Sequence, residues 1–314
     1  MRAITESFHL INTTRAGLDL LAEQVKRVVD AGAHDGVIEA LYAMPDGATG
    51  QNLRAHALRT QEERDRDLAE MWLMTVFARY ESWAESLEVE YNISNSKRGC
   101  QFPVQTSGGP GYIEVFSILQ PSQLMEDIYG DSVRADRFWI PSDADAQHVL
   151  RIYRYYKEIR NSLVHSDGKA NQQLAVASSE AYQSLAGLQL NQALRPGSVS
   201  ILAVGDPIEI NLRLVRDVIG LLHRLVFTID ARILTSIIGF DEFARRWQAT
   251  YGASPVDVPP RKLSRANWYS SRISENLKMP QPIFVGNKEK IWPESSRNAF
   301  LAFGTSNGLV RAWG

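Results

Sequence analysis

The sequence predicts a mainly α protein, an antiparallel helical bundle with an irregular C-terminal extension. Three observations predict it. From Leu53 to Val89 no residue breaks a helix. Two later stretches, after Pro141 and after Pro207, repeat apolar residues three or four positions apart, the helical period. After Gly239 the chain turns to Ser, Asn, Gly and Pro yet keeps Trp268, Trp292 and Trp313. Disordered tails rarely hold so many tryptophans, so this extension is expected to pack as an irregular layer on the bundle or on a partner.

The elements follow in order. Leu18, Leu21, Val25 and Val28 or Val29 mark a helix over about 15–29, with Thr14 as its N-cap. A short helix from Gly36 to Met44 and the loop MPDGATGQN complete an N-terminal segment, 1–52. The bundle occupies 53–238. Its first helix runs from a charged half, LRTQEERDRD, into a half that is apolar nearly all round between Met71 and Ala78. Trp72, Val76, Tyr80, Trp83 and Leu87 mark one face, and such a helix belongs at a bundle's centre. Glu81 is a carboxylate inside this apolar stretch. Residues 92–112 read as a loop, 112–119 as strand or helix, and 122–129 as a short helix.

Ser142, with Asp145 three positions on, resembles a capping box. It opens a helix whose stripe is Val149, Ile152, Tyr153, Tyr156, Ile159 and Leu163, with Gly168 as its stop. One short helix is expected near 180–192. A long one follows from about Pro207 to Ile238, fitted by Leu212, Val215, Val218 or Ile219, Leu222, Leu225, Val226 and Ile229. A short helix over 241–249 begins the extension, 239–314.

Composition narrows the function. The 314 residues hold 34 Lys+Arg against 36 Asp+Glu, a net charge of −2. That balance argues against a broad DNA-coating protein, which would be basic. No apolar run approaches the roughly 20 residues needed to cross a bilayer, so no membrane partner is expected. The N-terminus lacks a secretory apolar core, and the single cysteine, Cys100, cannot form an intramolecular disulfide. A cytoplasmic location is expected. The phosphate-loop, dinucleotide, HExxH and GxSxG patterns do not occur, and no histidine has another His or Cys at metal spacing. Neither cofactor nor metal is expected.

The informative segment ends the helix after Ser142: Arg160-Asn161-Ser162-Leu163-Val164-His165. Asn161 and His165 are i and i+4 and share a face. Arg160 lies about 140° away, but its long side chain can swing toward the same cleft. A phosphodiester attacked by its own 2′-OH needs a group of near-neutral pKa for the proton and a cation for the developing charge. His165 suits the first role and Arg160 the second. Asn161 can hold the imidazole tautomer or contact phosphate. The plain alternative is an Arg and a His placed to favour the helix dipole.

This segment resembles the Arg-Asn-x-x-x-His motif of the HEPN superfamily, the higher eukaryote and prokaryote nucleotide-binding domains. The resemblance covers about 53–238, with one long helix before the motif helix and one after it. It implies a HEPN-like bundle and a metal-independent endoribonuclease, a toxin–antitoxin or antiviral defence effector. In the family two motifs meet across a dimer interface, so a homodimer is implied. An unrestrained ribonuclease is toxic, so a regulatory protein partner is expected. Some members place a polar residue of the preceding helix beside the motif, which makes Glu81 a candidate to orient His165 or pair with Arg160; the plain alternative is a structural ion pair with Arg79 or a surface residue. Other members are catalytically silent binding modules, the alternative function. Arg151, Arg154 and Lys157, at i, i+3 and i+6, read as a phosphate-tracking stripe for RNA or as a solvated face. Tyr155 is a candidate for base stacking, while Tyr153 and Tyr156 read as core.

Overall fold

The computed structural model describes residues 2–42, 52–91, 119–188, 197, 199–259, 267–282 and 292–312. It is mainly α, as expected. Eleven helices are described: α1 (Arg2–Asp30), α2 (Asp35–Leu41), α3 (Leu53–Leu58), α4 (Gln61–Tyr91), α5 (Gln123–Met125), α6 (Asp131–Arg134), α7 (Asp143–His165), α8 (Gln172–Gly187), α9 (Leu212–Thr235), α10 (Ile237–Tyr251) and α11 (Glu294–Ser306). A π-type turn, Glu126–Gly130, joins α5 to α6. Two short strands, β1 (Val256–Val258) and β2 (Val310–Ala312), pair in parallel with Val256 opposite Val310. Residues 43–51, the loop and the ambiguous segment expected over 92–118, and Trp313 lie outside the described residues.

The chain forms two compact units. One comprises 1–83 and 151–222, the other 84–150 and 223–314, a division that cuts across the three segments expected from sequence.

In the first unit α4 supplies Leu68, Ala69, Trp72, Leu73, Val76, Phe77 and Tyr80, all buried. Their spacing of one, three and four positions makes a stripe wide enough to meet neighbours on two sides. Met71, in the middle of the stretch expected to be apolar all round, is 52% exposed. α7 answers with Ile152, Tyr153, Tyr155, Tyr156 and Ile159. The rings of Phe77 and Tyr80 stand 5.9 and 5.4 Å from that of Tyr153. A satellite cluster of Ala22, Val25, Ile38 and Ala57 packs α1, α2 and α3 together. Arg15 of α1 reaches Asp65 of α4 at 2.7 Å.

Several boundaries differ from expectation for local reasons. α1 starts well before Thr14, so Thr14 is no cap, and the Thr13 hydroxyl donates back to the His9 carbonyl at 3.0 Å. The helix expected from Leu53 breaks at Arg59–Thr60. There Thr60 and Glu63 form a reciprocal capping box: the Glu63 amide donates to Thr60 Oγ1 at 3.2 Å and the Thr60 amide to Glu63 Oε2 at 2.8 Å. The Thr60 amide and then its hydroxyl, both donating to the carboxylate, hold the Glu63 carboxyl below its usual range. The Ser142–Asp145 box is as read, with the Asp145 amide 3.0 Å from Ser142 Oγ. α8 starts earlier than expected, at an Asn171 cap whose Oδ1 accepts from the Leu174 amide. Pro207 does not open a helix, since it sits in a bridge to Lys169, and Asn211 caps α9 instead.

The second unit is built on an aromatic core. Phe243 and Trp247 of α10, Phe300 of α11, and Trp268, Tyr269 and Trp292 pack with Tyr129. The Tyr269 and Trp292 rings stack at 5.6 Å, and Phe300 meets Tyr269 edge-on at 5.8 Å. The C-terminal extension is therefore more regular than expected: it contributes α10, α11 and both strands. Where α9 was expected to continue, Ser236 caps α10. Gly239 is required there, because a Cβ would lie 2.2 Å from the Leu234 carbonyl oxygen. Burial lowers the His223 pKa to about 4, and the charge of Arg137 adds to the effect.

Phe300→Ala empties the centre of the second core and is expected to cost about 3–5 kcal/mol, read as a lower urea midpoint. His223 has a depressed folded pKa, so its contribution is complete above the unfolded value of about 6.5 and is lost as pH falls toward 4. The loss amounts to on the order of 3 kcal/mol. His223→Leu is expected to flatten that part of the stability–pH profile.

Candidate functional site

The Arg160–His165 segment forms the end of α7, which stops where Asp167 and Gly168 take positive φ of 52° and 70°. Ile159 is buried and Ser162 fully so, which turns Asn161 and His165 to the open side of the helix. His165 is exposed on the final residue of α7. Arg160 is half-buried and turns toward α4. Its Nη2 donates to Glu81 Oε2 at 3.2 Å and its Nη1 to Asn161 Oδ1 at 3.3 Å. The structure thus brings Glu81, Arg160 and Asn161 together. Among the described residues, no hydrogen bond joins His165 to this trio. Of the readings open to Glu81, the structure contains the pairing with Arg160.

The expected basic stripe is not one exposed face. Lys157 is only 7% exposed. Arg154 pairs with Glu180 of α8 at 3.4 Å. Arg151 stays half-buried at the start of the row. Tyr155 is buried too, so it is not a stacking platform: its hydroxyl accepts from the Ser200 amide at 3.4 Å.

Sequence reading missed a groove of about 520 Å³ on the other side of α7. Tyr155, Ile159 and Leu214 form its floor, and the connection between α8 and α9 forms a wall with Glu209 and Arg213. Long-range backbone bonds build that wall. The Ala170 amide donates to the Asp206 carbonyl at 2.9 Å, and the Ile208 amide to that of Gly168 at 2.9 Å. The one sequence signal for it is the Gly205–Asp206–Pro207 turn, where Gly205 takes a φ of 92°.

Among the described residues, no helix is long and apolar enough to cross a membrane. Compared with known proteins, the chain matches no family model, no curated protein and no solved structure.

The Arg160–Glu81 pair has side chains 26% and 21% exposed. Water still screens it, so Glu81→Gln is expected to lower stability by no more than about 1 kcal/mol in thermal unfolding.

Proposed function

We propose that the chain is a metal-independent endoribonuclease of the HEPN type, acting as a cytoplasmic toxin or antiviral effector. The observation that carries this reading is the pairing of Arg160 with both Glu81 and Asn161, on the helix that ends in an exposed His165. A 2′-OH attacks the adjacent phosphorus, and its proton passes to a base. The P–O5′ bond breaks, the leaving oxygen takes a proton from an acid, and a 2′,3′-cyclic phosphate remains. His165 serves one of the two proton transfers. A homodimer supplies the second from the other copy. Arg160 stabilises the charge on the pentacoordinate phosphate. Glu81 and Asn161 aim the guanidinium, so Glu81 is a positioning residue. Arg151 and Arg154 lie along the same helix for RNA phosphates, and a partner protein restrains the enzyme.

One observation favours a second reading. Arg160 already has an intramolecular carboxylate partner. A catalytically silent helical scaffold that binds a partner protein would hold it in this way.

The purified protein is expected to cleave total RNA in the presence of EDTA and to leave cyclic-phosphate ends. His165→Ala and Arg160→Ala are each expected to reduce cleavage at least about a hundredfold with the circular dichroism spectrum intact. Wild-type cleavage in both variants rejects the assignment, and no cleavage by the parent protein favours the scaffold.

A further inference from the structure

The groove beside α7 lies wholly in the first unit and has the make-up of a ligand pocket, an apolar floor with a few polar groups at its rim. Its volume of about 520 Å³ has room for a short peptide. The rim carries Ser200, Glu209, Asn211 and Arg213, all exposed. Glu209 and Arg213 are opposite charges on one cavity, yet they do not meet. Among the described residues neither has an ion-pair or hydrogen-bond partner. Arg213 has a seat of its own. Its guanidinium lies across Gly197, where a Cβ would collide with Nη2. The Gly197 amide is fixed in turn by Asp217 Oδ2 at 2.8 Å, one helical turn after Arg213 on α9. Asn211 spends its Oδ1 on the Leu214 amide at 3.0 Å, which leaves its Nδ2 without a partner among the described residues. Asp206 lines the groove as well, and its Oδ2 accepts from the Ala203 amide at 2.7 Å. Two carboxylates against one guanidinium disfavour a phosphate-bearing ligand.

We propose that this groove binds a short peptide of opposite end charges, with its cationic end on Glu209 and its anionic end on Arg213. An apolar side chain between the two ends rests on Ile159 and Leu214. Asn211 and Ser200 offer an amide donor and a hydroxyl to the peptide's main chain. A ligand with both charges answers both sides of the rim at once, whereas a ligand with one charge leaves the other side unmet. The site is on the side of α7 away from Arg160 and does not rest on the nuclease reading.

The test is thermal unfolding and calorimetric titration of the full chain with alanyl-leucyl-alanine, whose free termini carry the two charges. Its N-acetylated and C-amidated forms are two further probes. A third is the doubly capped peptide lysyl-leucyl-glutamic acid, with both charges on side chains. The free tripeptide is expected to raise the Tm of the parent protein. Acetylation and amidation are each expected to weaken its binding about tenfold. Glu209→Gln is expected to lose the sensitivity to acetylation alone, and Arg213→Gln the sensitivity to amidation alone. Gly197→Ala pushes the guanidinium off its seat at an exposed position and is expected to behave like Arg213→Gln. Binding of the free tripeptide alone assigns free peptides as the source. Binding of the doubly capped peptide alone assigns an internal segment of another chain, and binding of both assigns the charges themselves. No binding of either peptide overturns the site. So does equal binding of the free, acetylated and amidated tripeptides, or parent-like sensitivity in Glu209→Gln and Arg213→Gln.

Discussion

The ring of Tyr153 sits against Phe77 and Tyr80, and this aromatic contact decides which residues of α4 and α7 face each other. It is apolar, fully buried and close-packed, so a slip of one residue along either helix would open voids on both. With the register held, Glu81 follows Tyr80 directly to the edge of the contact, and Arg160 arrives two helical turns after Tyr153. The polar trio is a consequence of that apolar lock. A carboxylate and a guanidinium at the rim of a packed aromatic patch keep part of their hydration, which makes their pairing inexpensive to form and to reopen.

Two arginines in this molecule occupy opposite electrostatic situations. Arg160 has a carboxylate and an amide oxygen on its nitrogens and some access to water. Arg224 is more deeply buried and leaves a nitrogen unsatisfied. Neither difference follows from residue type. Both follow from where each falls on its helix: Arg160 reaches outward from a half-buried place, whereas Arg224 falls in a stretch of α9 that is buried on nearly every side.

Much of this was legible in sequence where the signal is local. The Ser142–Asp145 pair announces α7 because, at that spacing, the Ser142 hydroxyl accepts from the Asp145 amide and donates to the Asp145 carboxylate. The apolar stripes of α7 and α9 were readable from period alone. The Thr60–Glu63 box was overlooked because neither glycine nor proline accompanies it, and good helix formers on both sides masked the stop. The pairing of Arg160 with Glu81 could be named only as one of several alternatives, since 79 residues separate the partners. Burial of Lys157 and Tyr155 was invisible to charge and hydropathy, because a long stem or a phenol ring can be covered while its polar end finds a partner. The groove wall depends on amides pairing across the chain, which no local pattern encodes.

Gly239 has a consequence for how the second unit can vary. The hydroxyl of Ser236 and the carbonyl of Leu234 close round a position with no room for a single methyl group. The elbow between α9 and α10 is thus dictated by main-chain atoms, and its angle is insulated from changes among the surrounding side chains. The aromatic layer beyond it can exchange one ring for another over evolutionary drift while the direction in which the chain enters that layer stays the same.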